Sequence, residues 1–145
     1  MVNEMTIKDH FLQFTRDENI PVVQIERDMD VPNDLHIVII GEHGRWDGIA
    51  LPFEEEKLFV FYVNMGLLVP DGKREKIADW MIKKDFLYQY GGLYMDTKTG
   101  TAITRCSMHM YGSDEDKQEL IRKAVYTCAT IADQTYGELQ ELLVS

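Results

Sequence analysis

Few residues in this chain could do chemistry, and their spacing argues against most of it. Cys106-Ser107-Met108-His109 places a thiol three residues from an imidazole. A nucleophile and its base must come within hydrogen-bond reach of each other. The surrounding residues read as a strand, where positions i and i+3 point to opposite faces, so this pair diverges. Cys128 falls in the apolar stripe of a helix, the setting of a buried structural thiol. His10, His36, His43 and His109 lie on four separate elements, none in an HExxH or paired Cys/His spacing. Asp28, Asp30 and Asp34 faintly resemble calcium ligands, but the central Gly and terminal Glu of a calcium loop are missing, and Pro32 suits a plain turn.

Two further clusters read as structure. Glu54-Glu55-Glu56 is a solvated turn between strands, since like charges repel and seek water. Gly91-Gly92 is not followed by a helix, so it lacks the context of a phosphate-cradling loop. A β-bulge or a close backbone approach accounts for it better. The expectation is therefore a protein that is not an enzyme, with no catalytic residues, no metal site and no cofactor.

The totals bound the rest. A chain of 145 residues fits one domain spanning residues 1–145. No internal repeat, low-complexity tract or linker divides it. A net charge of −10 argues against nucleic acid, whose phosphates need clustered Lys and Arg. No stretch approaches the ~20 apolar residues of a membrane span. Met1-Val2-Asn3-Glu4-Met5 has neither the basic nor the apolar region of a signal peptide. With only two cysteines as well, a cytoplasmic, reduced protein is expected.

The elements that position these residues follow from periodicity. Ile7, Phe11 and Phe14 recur at i, i+4 and i+7, predicting a helix from Ile7 to Arg16, with Thr6 and Asp9 spaced for a cap. Val22 to Glu26 reads as a first strand, and Pro32-Asn33-Asp34 as a turn. Leu35 to Ile40, Trp46 to Phe53 and Leu58 to Val63 are strands, and Val69-Pro70-Asp71 opens a second helix. An aromatic-rich strand runs from Leu87 to Met95. Asp96 to Gly100 is its turn, with Gly100 where a positive φ is needed, and Thr101 to Met110 returns. Ser113, followed by Asp114, Glu115 and Asp116, caps the third helix. Gly137 is expected to break it, leaving Leu139, Leu142 and Leu143 in a short closing segment. The predicted fold is α+β: an antiparallel sheet of about five strands with three main helices, in the order α-β-β-β-α-β-β-α, the first and third helices packed on it.

Two patterns exceed what one sheet and its helices require. In Leu35 to Ile40 and Leu58 to Val63, apolar residues occupy both faces, whereas a sheet wet on one side should alternate. Either helices cover both faces or a second molecule covers one. In the second helix, Ile77, Ala78, Trp80, Met81 and Ile82 sweep about 200° of the helical wheel. That excess predicts a second contact surface, with Ile77, Trp80 and Met81 at a partner or dimer interface.

Several of these stretches together resemble the YbjN family, bacterial proteins labelled as candidate sensory transduction regulators, whose fold is similar to that of type III secretion chaperones. The resemblance spans Gly41 to Leu142. It rests on the turn Gly41-Glu42-His43-Gly44-Arg45-Trp46, on Phe61-Tyr62-Val63 leading to Val69-Pro70-Asp71, and on the hairpin Gly91 to Gly100. Ala129-Thr130-Ile131-Ala132-Asp133 before Tyr136 adds to it. The chain departs from the family near Asp85, where an Asn is usual, and at Gly91-Gly92-Leu93, where Gly-Asn-Phe is. The family brings no catalytic motif. Type III secretion chaperones pair through the corresponding helix and a neighbouring strand, so the resemblance implies a homodimer.

The expected function is a non-enzymatic, dimeric protein-binding module, chaperone-like or regulatory, that holds a segment of a client protein on an apolar surface. The alternative is a small-molecule-binding or enzymatic domain with its pocket between sheet and helices.

Overall fold

The computed structural model describes residues 4–25 and 34–145. The elements run α1 (Ile7–Asp17), β1 (Val23–Ile25), β2 (Asp34–Ile40), β3 (Arg45–Phe53), β4 (Leu58–Leu68), a 3-10 turn (Asp71–Lys73), α2 (Arg74–Asp85), β5 (Gly92–Met95), β6 (Thr101–His109) and α3 (Asp114–Val144). The fold is α+β, as expected. Every strand pair is antiparallel, in the order β1-β2-β3-β4-β6-β5. The sheet has six strands rather than about five, because the short β1 pairs with β2.

Both predicted caps form as reciprocal capping boxes. Thr6 and Asp9 close the start of α1, and Ser113 and Asp116 the start of α3, each pair satisfying two helix-end donors. Glu54 is no merely solvated residue: its carboxylate accepts from the N–H groups of Ile7 at 2.8 Å and Lys8 at 3.1 Å. It ties the β3–β4 turn to the positive end of α1.

One face of the sheet carries the core. α3 lies across β4 and β6, and α1 packs beside α3 and against β3. Phe11 meets Phe59 and Phe61, and Phe14 meets Tyr126 edge-on. Phe59, Phe61, Val63, Ala124, Val125 and Cys128 are fully enclosed between the layers. α2 sits against β5 at the sheet edge and sends Ile77 and Met81 into the same core.

Three boundaries differ from expectation, each for a local reason. The aromatic run from Leu87 to Tyr90 is not strand. α2 continues into turns, with the N–H of Leu87 bonded to Lys84 O and that of Tyr88 to Asp85 O; Gly91, at φ +68°, then redirects the chain into β5. Strand β4 runs on to Leu68 across an irregularity where Asn64 Oδ1 accepts from the N–H of Gly66. Gly137 does not break α3. The helix runs 31 residues, and its last turns are held by Leu139, which is fully buried, and by Glu138, which bonds α2. The glycine's cost of about 1 kcal/mol is outweighed by that packing. The predicted turn residues Pro32 and Asn33, with Asp28 and Asp30, lie outside the described residues.

Candidate functional site

In β2 the apolar residues on both sides resolve into a covered and an open face, whereas in β4 Val60, on the side opposite Phe59 and Phe61, is itself buried. In β2, Leu35, Ile37 and Ile39 point toward the helices, while His36, Val38 and Ile40 point away. Register then assembles the open face. Val23 lies opposite His36, which lies opposite Ile49; Val38 opposes Asp47, and Ile40 opposes Arg45. No described helix packs over this side.

The open face is apolar and concave. Val23 is 62% exposed and Ile40 78%. With Val38, Ile49 and Pro21 they line a cavity of about 510 Å³ whose polar groups include His36, Arg45, Asp47 and Asn64. Arg45 and Asp47 balance each other, so this patch is close to neutral in a chain of net charge −10. An uncharged apolar side chain could be held here without crossing a layer of carboxylates.

α2 divides its wide apolar arc between two surroundings. Ile77 and Met81 are buried in the monomer's own core, and Trp80 is half-buried against it. The Trp80 indole donates to Glu138 Oε1 at 3.0 Å, and Lys84 pairs with Glu138 Oε2 at 2.7 Å. The ammonium of Lys84 and the indole of Trp80 hold the Glu138 carboxyl below its usual range. The outward part of the arc is Ile82, 70% exposed, followed at helical spacing by Phe86 at 90% and Leu87 at 73%. The sequence reading missed Phe86 and Leu87 by placing Leu87 in a strand. The i+4 spacing of Phe86 from Ile82 was the available signal for the first of them.

The remaining constellations are structural. Cys106 is buried on the core face and His109 is exposed on the other, so thiol and imidazole diverge. Burial pushes the Cys106 thiol up, and that of Cys128 far up. His10 lies between α1 and α3, while His36 lines the open sheet face. Gly91-Gly92 marks a close approach: a Cβ on Gly92 would stand 2.9 Å from the Asp85 carboxylate, and one on Gly91 2.9 Å from Arg105 O. Asp85 Oδ1 accepts from the N–H of Leu93 at 2.6 Å. Burial raises the Asp85 carboxyl, and the Leu93 hydrogen bond offsets part of that rise.

The turn at Gly41 and the distant Asp133 form one joint. Asp133 Oδ1 accepts from the N–H of His43 at 2.9 Å and from the Trp46 indole at 3.0 Å, while Oδ2 lies 3.0 Å from His43 Nδ1. A Cβ on Gly41 would sit 2.5 Å from that carboxylate. Desolvation presses the Asp133 carboxyl upward, yet the hydrogen bonds from His43 and Trp46 together bring it below its usual range. Ligand atoms of Glu42, His43 and Asp133 come within 4.8 Å of one another, but both Asp133 oxygens are already engaged in the joint.

No known protein family profile matches the chain, and no curated protein does either. Solved structures do. The crystal structure of YbjN from E. coli, described as a candidate transcription regulator, superposes with a TM-score of 0.64 over 93% of this chain and 94% of that one. Sequence identity is 9%, so the likeness is one of fold. No helix among the described residues is long and apolar enough to cross a membrane.

Proposed function

We propose that this protein is a non-enzymatic, cytoplasmic protein-binding module, chaperone-like or regulatory, that works as a homodimer and holds a segment of a client protein. The observation that carries the reading is the open sheet face, where Val23, Val38, Ile40 and Ile49 surround a near-neutral cavity. A client side chain buried there would contribute roughly 1.5–3 kcal/mol before association costs. Homodimerisation is assigned to the outward side of α2, through Ile82, Phe86 and Leu87 with Trp80 at their margin. That placement leaves the sheet face free for the client.

The likeness to YbjN supports a regulatory role, and the net charge of −10 favours regulation through protein contacts over DNA. The alternative of a ligand pocket between sheet and helices gains no support, because Phe11, Phe59, Phe61 and Cys128 fill that space.

The test compares two variants as bait in lysate of the source cell. Replacing Val38 and Ile40 by Asp should abolish capture of a partner that the wild type retains. Replacing Lys98 and Thr99, exposed at the hairpin tip, by Ala should leave capture intact. Equal capture by wild type and the sheet-face variant would rule the assignment out.

A further inference from the structure

We propose that two copies of this chain close on each other by reciprocal insertion: Phe86 of each enters a groove between α3 and the α2–β5 turn of the other, with Leu87 at the twofold axis. The inference rests on the homodimer reading above. It adds the receiving surface, which belongs to α3 and the turn rather than to α2, and which is filled only when the partner supplies a ring.

The groove follows from the way the chain leaves α2. Beyond Asp85, turns through Leu87 and Tyr88 lead to Gly91, whose φ of +68° brings the chain down onto α3. A Cβ on Gly91 would stand 2.9 Å from Arg105 O and 3.5 Å from Thr127 Cγ2, so the close approach requires glycine. Between turn and helix lies a cavity of about 480 Å³. Leu87, Tyr88 and Tyr90 form one wall, and Tyr126, Thr130 and Ile131 the other. The Lys123 ammonium stands 4.1 Å from the centre of the Tyr90 ring, and the Arg122 guanidinium 5.3 Å from that of Tyr126. An aromatic ring entering here meets other rings and a cation, and both attract it.

Phe86 is that ring. At 90% it is the most exposed large apolar side chain among the described residues. It does not line the groove, whereas its neighbour Leu87 does, so knob and groove adjoin at Leu87. A twofold axis there sets each Phe86 over the partner's groove and Leu87 against its own copy. The occupant is therefore a second copy: a foreign side chain could fill the groove but would leave Phe86 in water. With Ile82 and Leu87 covered as well, the two copies remove on the order of 1,200 Å² of surface, where specific interfaces begin.

Cysteine cross-linking of the full chain tests the axis, and a groove-filling variant tests the insertion. Both native thiols are buried, so an introduced one reacts alone. Under mild oxidation Leu87→Cys should form a disulfide-linked dimer, because a residue on a twofold axis meets itself. Ile40→Cys, on the open sheet face, should not. Thr130 is exposed on α3, away from the α2 ridge, and Thr130→Trp would occupy the groove. It should stay folded by circular dichroism and weaken dimerisation about tenfold or more by light scattering. A monomeric wild type would overturn this inference together with the homodimer reading. A dimeric wild type in which Leu87→Cys fails to cross-link, or Ile40→Cys cross-links instead, would overturn the inference and leave the homodimer standing. A folded Thr130→Trp variant that dimerises as tightly as the wild type would do the same, and the cross-linking result holds whether or not that variant folds.

Discussion

Asp133 on α3 accepts a hydrogen bond from the indole of Trp46 on β3 at 3.0 Å, joining residues 87 positions apart. The same carboxylate receives the backbone N–H of His43, so the turn between β2 and β3 is closed by a residue from the last helix. Trp46 is 4% exposed and stacks edge-on against Tyr136, one helical turn from Asp133. Two of the stretches that carry the resemblance to YbjN, Gly41 to Trp46 and Ala129 to Asp133, are the two halves of this joint.

Removing the carboxylate should therefore cost stability. Asp133→Ala leaves the Trp46 indole and the His43 N–H without their acceptor, a loss of about 2 kcal/mol. The pH dependence has a definite sign. A carboxyl held below its unfolded value stabilises the fold above that value and loses the contribution as pH falls through the folded one. Urea unfolding followed by Trp fluorescence at pH 7 should give a lower midpoint for the variant, and the gap should narrow on acidification below about pH 4. An unchanged midpoint at pH 7 would show that the joint carries no stability.

Asp85 works in the opposite direction. Burial raises its carboxyl, so the folded state binds the proton more readily than the unfolded chain. Ionised Asp85 thus weighs against folding, and the penalty develops as pH rises from the unfolded value through the folded one. Asp85→Asn keeps an oxygen for the Leu93 N–H and removes the charge. It should raise stability at pH 7 and shrink the loss of stability between measurements at about pH 4 and pH 7. Denaturation midpoints at those two pH values check it; a loss of stability at pH 7 would mean that the charge strengthens the Leu93 bond by more than its burial costs.

Much of the architecture was legible because local and tertiary signals agreed. Thr6 with Asp9, and Ser113 with Asp116, were readable as caps since each box closes within three residues. Gly100, at φ +79°, was readable because a tight turn allows little else. Failures came where a distant residue decided the outcome. Leu87 to Tyr90 have strand-like composition, yet α2 ends at Asp85 in turns that carry the chain through them, and β5 starts only at Gly92. Glu54 looked solvated because its partners, the N–H groups of Ile7 and Lys8, are 47 and 46 residues away. The contact of His10 Nε2 with Asp114 Oδ1, at 3.2 Å, follows no spacing rule at all, as the two residues belong to different helices. The open sheet face was half legible: doubled apolar faces in β2 signalled a second contact without saying that the described helices cover one side of that strand only.

Gly137 offers a test of how tertiary packing overrides propensity. A Cβ there meets nothing within 4 Å, and the residue lies inside α3. Gly137→Ala should stabilise the protein by about 0.5–1 kcal/mol, through the helix preference and the narrower unfolded ensemble. Thermal unfolding reads the shift. A destabilised variant would mean that Gly137 answers to a contact with a second molecule, which would then be sought at the end of α3.

The dimer prediction concerns the outward side of α2. Ile82, Phe86 and Leu87, at the end of α2 and just beyond it, are each at least 70% exposed, and so many large apolar side chains in solvent over six residues suit a contact with another protein. Ile77 and Met81 are already buried within the monomer, so charging them would unfold it rather than dissociate it. Replacing Phe86 and Leu87 by Ser removes the exposed apolar surface without touching the core, and should convert a dimer to a folded monomer. Trp80→Glu should also shift the protein toward monomer. That variant costs some stability too, since it ends the indole bond to Glu138 and sets a second carboxylate beside it. Light scattering coupled to size exclusion, with circular dichroism to confirm folding, reads both. A wild type that is monomeric at tens of micromolar would refute the homodimer. A folded Phe86/Leu87 variant that remains dimeric would keep the dimer and move its interface to the open sheet face, where the Val38 and Ile40 substitutions would then dissociate it.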